Sequence, residues 1–421
     1  MPLSRVVVVG QGYVGLSLAV RAADVGFDVV GYDLAAERIK ALAAGSSFVE
    51  DVADGSLRAA LDSGRYRPTS SLEGVDGFDV AVIAVPTPLS EGAPDLSYIE
   101  AAARALAPAL RAGATVVLES TTYPGTTEEL VAPILEAGSG LVAGRDFHLG
   151  YSPERIDPGN RTNTFVSTPK VVSGIDEKSL AAVAGFYDQL VERTVPVSST
   201  RVAELTKLLE NTFRHVNIAL VNELTMFAND LGIDMWEAID AASTKPFGYM
   251  RFTPGPGVGG HCLPVDPSYL SWQVKRSLGQ SFRFVELAND VNDHMPDYVV
   301  RRVVMALNRD SRAVRGSRIL LLGVSFKKNV GDCREAPSRR ISQLLVEMGA
   351  DLRAADPHVA RSEFPPGITP VELSRAELGS ADVVVVLVDH DAFDRSLVVE
   401  HARRVLDTRA WLPHEPNVER L

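Results

Sequence analysis

Cysteine is nearly absent, with two in 421 residues. Two thiols cannot form a disulfide framework for a chain this long, and a reducing, cytoplasmic setting is expected. Long apolar runs are missing too. None approaches the ~20 residues of a membrane-spanning helix. Basic residues are in the minority, 42 Lys and Arg against 54 Asp and Glu, for a formal net charge of −12. That balance argues against nucleic acid or an anionic membrane as partner. An anionic ligand would need a local cluster of Lys and Arg. A strand-like run begins at Arg5, so no secretory leader is expected. The chain has no repeat of solenoid length and no low-complexity tract. Nothing in it calls for a metal.

What is present is apolar bulk. Hydrophobic residues make up 46% of the chain and charged residues 23%, enough for large cores under a polar surface. The length exceeds one ordinary core, so two or three domains are expected.

Arg5-Val6-Val7-Val8-Val9 reads as a buried parallel strand. Gly10-Gln11-Gly12-Tyr13-Val14-Gly15 follows as GxGxxG and leads into a helical pattern through Leu18, Ala22 and Val25. The next strand, Asp28 to Asp33, ends in an acid near the ~20-residue offset of a ribose-binding carboxylate. Set between strand and helix, with Asp33 in place, this is a dinucleotide-binding Rossmann pattern. Asp33 favours NAD, and Arg38 one turn later keeps NADP open. Further strand-like runs at 79–85 and 114–118, with a helix between, continue a parallel sheet. They end in polar loops that hold Thr87 and Thr121. These threonines either touch a ligand or cap the next helix. A strand at 147–151 delivers Ser152-Pro153-Glu154-Arg155 to the same edge. A strand at 170–173 and a helix at 179–190 follow.

From Ser199 to Leu231 there is no Gly or Pro, and apolar residues recur at helical spacing. This predicts a helix of roughly 30 residues, ~45 Å long. Such a helix usually joins domains and often dimerises. Lys207 and Asn211 are four apart and share one of its faces, which is either a solvated polar face or a functional one. Shorter helices are expected near Trp236, near Trp272 and over 284–306. A second α/β pattern starts at Arg318, with strands at 318–323, 352–355, 383–387 and 405–407 and a helix over 341–348. It lacks a GxGxxG, and Cys333 within it reads as structural.

Gly255-Pro256-Gly257-Val258-Gly259-Gly260-His261-Cys262-Leu263-Pro264-Val265-Asp266-Pro267 cannot be a helix or strand interior. Pro264 and Pro267 set the start of the next helix, so Cys262 precedes a helix N-terminus, where the dipole favours thiolate. The alternative is a connector holding an inert cysteine. An NAD domain and a poised thiol together suit alcohol-to-acid oxidation. A thiolate adds to an aldehyde, the adduct gives up hydride, and water releases the acid from the thioester.

The stretches GQGYVG, VPTP, ESTTYPGTT, YSPER, ELTKLLENT, GPGVGGHCLPVDP and FKKNVGDCREAPS, in this order, resemble the UDP-glucose/GDP-mannose dehydrogenase family over essentially the whole chain. The resemblance implies an α/β chain with three parts: an N-terminal Rossmann domain (1–198), a central helical dimerisation domain with one long helix (199–308), and a C-terminal Rossmann-like domain that binds a UDP-sugar (309–421). It implies Cys262 as thioester nucleophile, with Lys207 and Asn211 stabilising alkoxide and oxyanion. Asp266 would assist Lys207, and Thr121 and Glu154 would position and activate water. NAD would lie on Gly10, Gly12, Tyr13, Val14, Gly15, Asp33, Arg38, Thr87 and Thr121, with Arg334 reaching it. The substrate would meet Glu154, Arg155, Lys207, Asn211, Gly259, His261, Lys327 and Arg409. A homodimer through the long helix is implied.

Family members acting on UDP-glucose carry Ser where His261 stands. Here the residue and the segments at 152–160 and 244–248 are similar most of all to the UDP-N-acetylglucosamine 6-dehydrogenase branch, which usually has an acid at the position of Ile156. UDP-N-acetylmannosamine ranks second and UDP-glucose third. His261 itself reads as a packed ring rather than a general base. A two-electron hydroxyacid dehydrogenase, which would not need Cys262, is the rival reading, and a non-catalytic NAD-binding scaffold is another. The downstream use of the acid, in surface polysaccharide or secondary metabolites, is open.

Overall fold

The computed structural model describes residues 5–49, 51–71, 77–90, 92–156, 162–260, 263 and 265–421. The chain forms two compact units, residues 1–210 with 268–278, and residues 211–267 with 279–421.

In the first unit the β-branched runs become strands. These are β1 (Arg5–Val9), β2 (Asp28–Tyr32), β3 (Tyr66–Thr69) and β4 (Val80–Ile83), then a short hairpin of β5 (Leu89–Ser90) and β6 (Ala93–Pro94). β7 (Thr115–Leu118), β8 (His148–Tyr151), β9 (Lys170–Gly174) and β10 (Thr194–Pro196) follow. Eight of them form one sheet in the order β10-β9-β8-β7-β4-β1-β2-β3. The helices α1 (Tyr13–Asp24), α2 (Ala36–Ala43), α3 (Asp54–Asp62), α4 (Ser97–Leu106), α5 (Ala132–Ser139) and α6 (Glu177–Tyr187) connect them. Successive side chains of β1 point to opposite faces. Val6 and Val8 pack with Leu16, Leu18 and Phe186, whereas Val7 and Val9 pack with Ile99, Leu106 and Leu135. Burial on both faces is why the strand reads as an unbroken valine run and not an alternation.

The sheet is not parallel throughout, contrary to the expectation from sequence. β8 and β9 run antiparallel, pairing Gly150 with Gly174 and Tyr151 with Ser173. A parallel return would require a crossover of a dozen or more residues, usually helical. The described part of the link between Tyr151 and Lys170 holds no helix.

α7 (Thr200–Asp230) runs unbroken through the point where the units divide. The second unit continues with α8 (Met235–Ser243), the first residues of α9 (Asp266–Leu278) and α10 (Arg283–Arg309). Its sheet contains β11 (Arg318–Leu322), β12 (Asp351–Ala355), β13 (Thr369–Pro370), β14 (Val383–Val386), β15 (Val405–Asp407) and β16 (Val418–Arg420) in the order β13-β12-β11-β14-β15-β16. Every pair is parallel. α11 (Pro337–Glu347), α12 (Arg375–Ser380) and α13 (Arg395–His401) flank it. α11 begins four residues before the expected Ile341, because Pro337 suits a first helical turn. Among the described residues no helix is long and apolar enough to cross a membrane.

Candidate active site

The sheet order of the first unit reverses between β1 and β4, and ligands of such sheets lie outside the carboxyl ends of the strands there. A Cβ on Gly15 would stand 1.8 Å from the carbonyl oxygen of Gly10, so α1 packs against the turn as only glycine permits. Gly12 is the opposite case. A Cβ there would meet nothing within 4 Å, and no side chain caps α1. Gly12 thus leaves room beside the N-terminus of α1, where a pyrophosphate can approach the helix. Tyr13 and Val14 begin the helix and are half-buried.

Asp33, just past β2, is buried. Its Oδ2 accepts from Gln11 N at 2.8 Å and Arg38 Nη1 at 2.9 Å, and its Oδ1 accepts from Ala35 N at 2.9 Å. Arg38 lies over the Phe48 ring, 5.0 Å from its centroid, and Phe48 meets Tyr13 edge-on at 6.4 Å. Arg38 is thus committed to the acid instead of awaiting a 2′-phosphate. These residues fit NAD. The carbonyl of Thr87, beyond β4, accepts from the Tyr269 hydroxyl.

Thr121 follows β7 and is half-buried. The loop it belongs to is tied to α7 by Glu204, a residue the sequence reading passed over. Glu204 Oε2 accepts from Gly125 N at 2.6 Å, and Oε1 accepts from Thr127 N at 2.9 Å and Thr127 Oγ1 at 2.7 Å. Burial pushes the Glu204 carboxyl up to about 7, against the pull of these donors. One turn further along α7, Lys207 is buried at 8% exposure, with no hydrogen-bond or ion-pair partner among the described residues.

Glu154 Oε1 accepts from the backbone N–H groups of Arg155 and Ile156, both at 2.6 Å. Its Oε2 accepts from Lys170 Nζ at 2.9 Å, and the same ammonium bonds to Glu119. The Arg155 guanidinium is directed to Glu210, with Nη2–Oε1 at 2.6 Å and Nε–Oε2 at 3.3 Å, and to the Pro169 carbonyl at 2.6 Å. Lys170 and Glu119 were invisible in the sequence, since one is a strand's first residue and the other a strand's last neighbour, 51 positions apart.

In the second unit Asn211 Nδ2 donates to Asp266 Oδ2 at 2.5 Å. Asp266 is 3% exposed and begins α9. The glycine loop is packed tightly here. A Cβ on Gly259 would stand 2.8 Å from Glu335 O and 2.9 Å from both Phe326 Cβ and Pro337 Cδ. At the loop's start Gly255 N donates to Asn222 Oδ1 at 3.0 Å, and Asn222 Nδ2 donates to Asn292 Oδ1 at 2.9 Å. Arg409 Nη1 lies 2.8 Å from where a Gly255 Cβ would be, and Arg409 Nε donates to Leu387 O at 2.7 Å. The Lys327 carbonyl accepts from Ser325 Oγ at 2.9 Å. Arg334 pairs with Asp332, Nη2–Oδ2 2.7 Å. His261 and Cys262 lie outside the described residues.

Below the loop that carries Lys327, Asp356 Oδ2 accepts from Val324 N at 2.8 Å and Ser325 N at 3.2 Å. His390 Nδ1 accepts from Asn329 N at 2.9 Å, which leaves Nε2 as the donor to Asp356 Oδ2 at 3.1 Å. Burial alone would raise the Asp356 carboxyl, but His390 and the backbone donors outweigh it and hold the pKa at about 2. The second unit thus keeps an acid after its second strand, as Asp33 does in the first. This acid is closed over by a histidine and holds a loop.

Models of the UDP-glucose/GDP-mannose dehydrogenase family match the chain at residues 4–191 (NAD binding domain), 201–294 (central domain) and 320–414 (UDP binding domain). The chain is 39% identical over 416 residues to the NDP-N-acetyl-D-galactosaminuronic acid dehydrogenase of Ralstonia nicotianae, covering 96% of this chain and 95% of that protein. It is 37% identical over 407 residues to the UDP-N-acetyl-D-glucosamine 6-dehydrogenase of Pseudomonas aeruginosa, covering 95% and 94%. The solved UDP-D-ManNAc dehydrogenase from Pyrococcus horikoshii matches with a TM-score of 0.90 at 32% identity, over 99% of this chain and 98% of that one. The chain therefore belongs to the UDP-glucose/GDP-mannose dehydrogenase family and is an NAD-dependent UDP-sugar dehydrogenase, an oxidoreductase.

Proposed function

We propose that this dehydrogenase removes four electrons from the C6 hydroxyl of a UDP-N-acetylhexosamine, UDP-N-acetylglucosamine first, and yields the carboxylate. The observation that supports it most is the Asn211–Asp266 hydrogen bond, on the helix that also buries Lys207, a cation with no hydrogen-bond or ion-pair partner among the described residues. A two-electron dehydrogenase has no use for a thiol nucleophile such as Cys262. Bound nicotinamide supplies the acceptor for each of two hydrides.

Lys207 and Asn211 stabilise the oxygen at C6 as the alcohol becomes an aldehyde. The Cys262 thiolate then adds to the carbonyl carbon, and the resulting alkoxide again rests on Lys207 and Asn211. Its collapse expels the second hydride and leaves a thioester. Glu154 takes a proton from a water placed by Thr121, the hydroxide attacks the thioester carbon, and the C–S bond breaks to return the thiolate. Asp266 orients Asn211 and exchanges protons with Lys207. Arg155, Gly259, His261, Lys327 and Arg409 bind the UDP-sugar, and Arg334 meets the cofactor. The domains divide near residues 198 and 308, and the chain is cytoplasmic.

The chain also forms a homodimer through α7. Val202, Leu205, Leu209, Phe213, Leu220 and Leu224 recur at steps of three, four or seven and are exposed, which leaves an apolar stripe along one helix face.

UDP-N-acetylglucosamine ranks first because of the segments around Glu154 and Lys245 and the Pseudomonas aeruginosa relative. UDP-N-acetylmannosamine is the second reading, favoured by the Pyrococcus horikoshii structure. The test counts NADH per limiting sugar for both and for UDP-glucose. Two NADH from UDP-N-acetylglucosamine is the expected result, and two from the mannosamine sugar alone would replace it. One NADH per sugar, or acid formed at the wild-type rate by Cys262→Ala, would remove the thioester route.

A further inference from the structure

The antiparallel turn between β8 and β9 has a chemical consequence. Continuing the Tyr151–Ser173 register three residues beyond β8 brings Glu154 opposite Lys170. Lys170 is 3% exposed, Glu119 1%, Glu154 8% and Tyr187 0%. Lys170 Nζ bridges the two carboxylates, with Glu154 Oε2 at 2.9 Å. The Tyr187 hydroxyl donates to Glu119 Oε2 at 2.9 Å. The ammonium also lies over the Phe165 and Tyr187 rings, 5.5 Å and 5.3 Å from their centroids. Arg155, the other nearby cation, is directed to Glu210 and does not compete for Glu154.

Two carboxylates and one ammonium would leave a net negative charge in a dry site, which is costly. The cluster relieves that by holding one proton. Burial pushes Glu119 up to about 7, against the attraction of Lys170. Burial acts the same way on Glu154, but Lys170 and the hydrogen-bond donors outweigh it and the net shift is downward. The proton therefore resides on Glu119, and Glu154 remains a carboxylate. A well-packed apolar cluster would stabilise the sheet as well as this arrangement does, so its placement at Glu154 points to a role in the reaction.

We infer that Lys170 is a positioning residue for thioester hydrolysis: clamped by Glu119 and Tyr187, it keeps the Glu154 carboxylate ionised and aimed to accept a proton from water. This rests on the water-activating role proposed for Glu154. When Glu154 takes that proton, the O–H bond of water breaks and the hydroxide goes to the thioester carbon. Lys170 stays protonated throughout.

The test is the pH profile of kcat for acid formation, read between pH 5 and 9, with KM for the UDP-sugar followed in parallel. Lys170→Gln and the double variant Glu119→Gln/Lys170→Met both leave Glu154 without its cation. The double variant also removes the Glu119 carboxyl that Lys170→Gln leaves without its ammonium partner, and far-UV dichroism checks that each is folded. In both, the acid limb should move up by about one pH unit or more, with KM changed less than about twofold. Lys170→Arg should bring the limb back towards wild type. A folded variant of either kind whose acid limb coincides with wild type would overturn the inference. Glu154→Gln separates the two ideas. Loss of acid formation in Glu154→Gln with an unmoved limb in the Lys170 variants defeats the inference alone, whereas wild-type acid formation in Glu154→Gln defeats the role of Glu154 and the inference with it.

Discussion

Asn211 donates its side-chain amide to Oδ2 of Asp266 at 2.5 Å, and Asp266 is almost fully buried. The bond fixes which face of the Asn211 amide points away from the acid. Asp266→Asn should lower kcat by about 10²–10⁴-fold, and Asn211→Ala by about 10²–10³-fold, with KM for the UDP-sugar changed little. The double variant should cost barely more than the worse single one, since the two act as a unit. Steady-state kinetics on the four proteins checks this, and additive losses would refute it.

Asp33 pairs with Arg38 at 2.9 Å. In the proposed cofactor site it would also accept from a ribose hydroxyl. Asp33→Ser should therefore reduce kcat/KM for NAD by about 10- to 100-fold and, by freeing Arg38, raise the NADP-to-NAD preference. The ratio of kcat/KM for the two cofactors reports it. A ratio equal to wild type would show that Arg38 does not face the 2′ position.

Glu204 should leave a mark on the pH dependence of stability. The unfolded chain releases this proton near 4.5, while the native state holds it to about 7. The native state binds more protons between those values, so its stability falls as pH rises through that window, by about 3 kcal/mol at most. Below about 4.5 the contribution is complete. Tm recorded from pH 5 to 8 should decline less steeply in Glu204→Gln than in wild type. Parallel slopes would mean that the donors from Gly125 and Thr127 already hold Glu204 ionised.

The apolar stripe on α7 gives the dimer prediction its test. Leu220 and Phe227 are 52% and 56% exposed, so changing them to Asp should leave the fold of one chain intact. The Leu220→Asp/Phe227→Asp protein should sediment as a monomer with a far-UV dichroism spectrum unchanged from wild type. A dimer that persists at micromolar concentration would place the interface elsewhere.

The elements that were legible in the sequence share a property: each depends on neighbours close in the chain. The GxGxxG turn, the valine strand before it and Asp33 at the end of the next strand all lie within about thirty residues, and the strand–turn–helix they form follows from local backbone geometry. The long helix was legible because helical periodicity repeats every few residues without Gly or Pro to break it. The candidate residues Lys207, Asn211 and Asp266 could be singled out from motifs, but not their contacts. That Asn211 bonds Asp266 depends on how α7 and the start of α9 pack, 55 positions apart.

The rest was decided by tertiary structure. Strand direction is one case: nothing in the run from Lys170 to Gly174 tells an antiparallel strand from a parallel one, because all five residues are buried and none of the in–out alternation of a half-solvated antiparallel strand is left. The antiparallel direction puts Lys170 opposite Glu154. Glu204 looked like one more acid on a helix and became the anchor of a loop 77 to 79 residues away. Asp356 and His390 likewise meet only through the parallel sheet of the second unit. The sequence by itself therefore determined the chemistry on offer, an NAD cradle, a thiol and a set of polar groups. Which carboxylate carries a proton and which stays ionised was decided by the tertiary structure, because burial and charge act through space on groups that the chain keeps far apart.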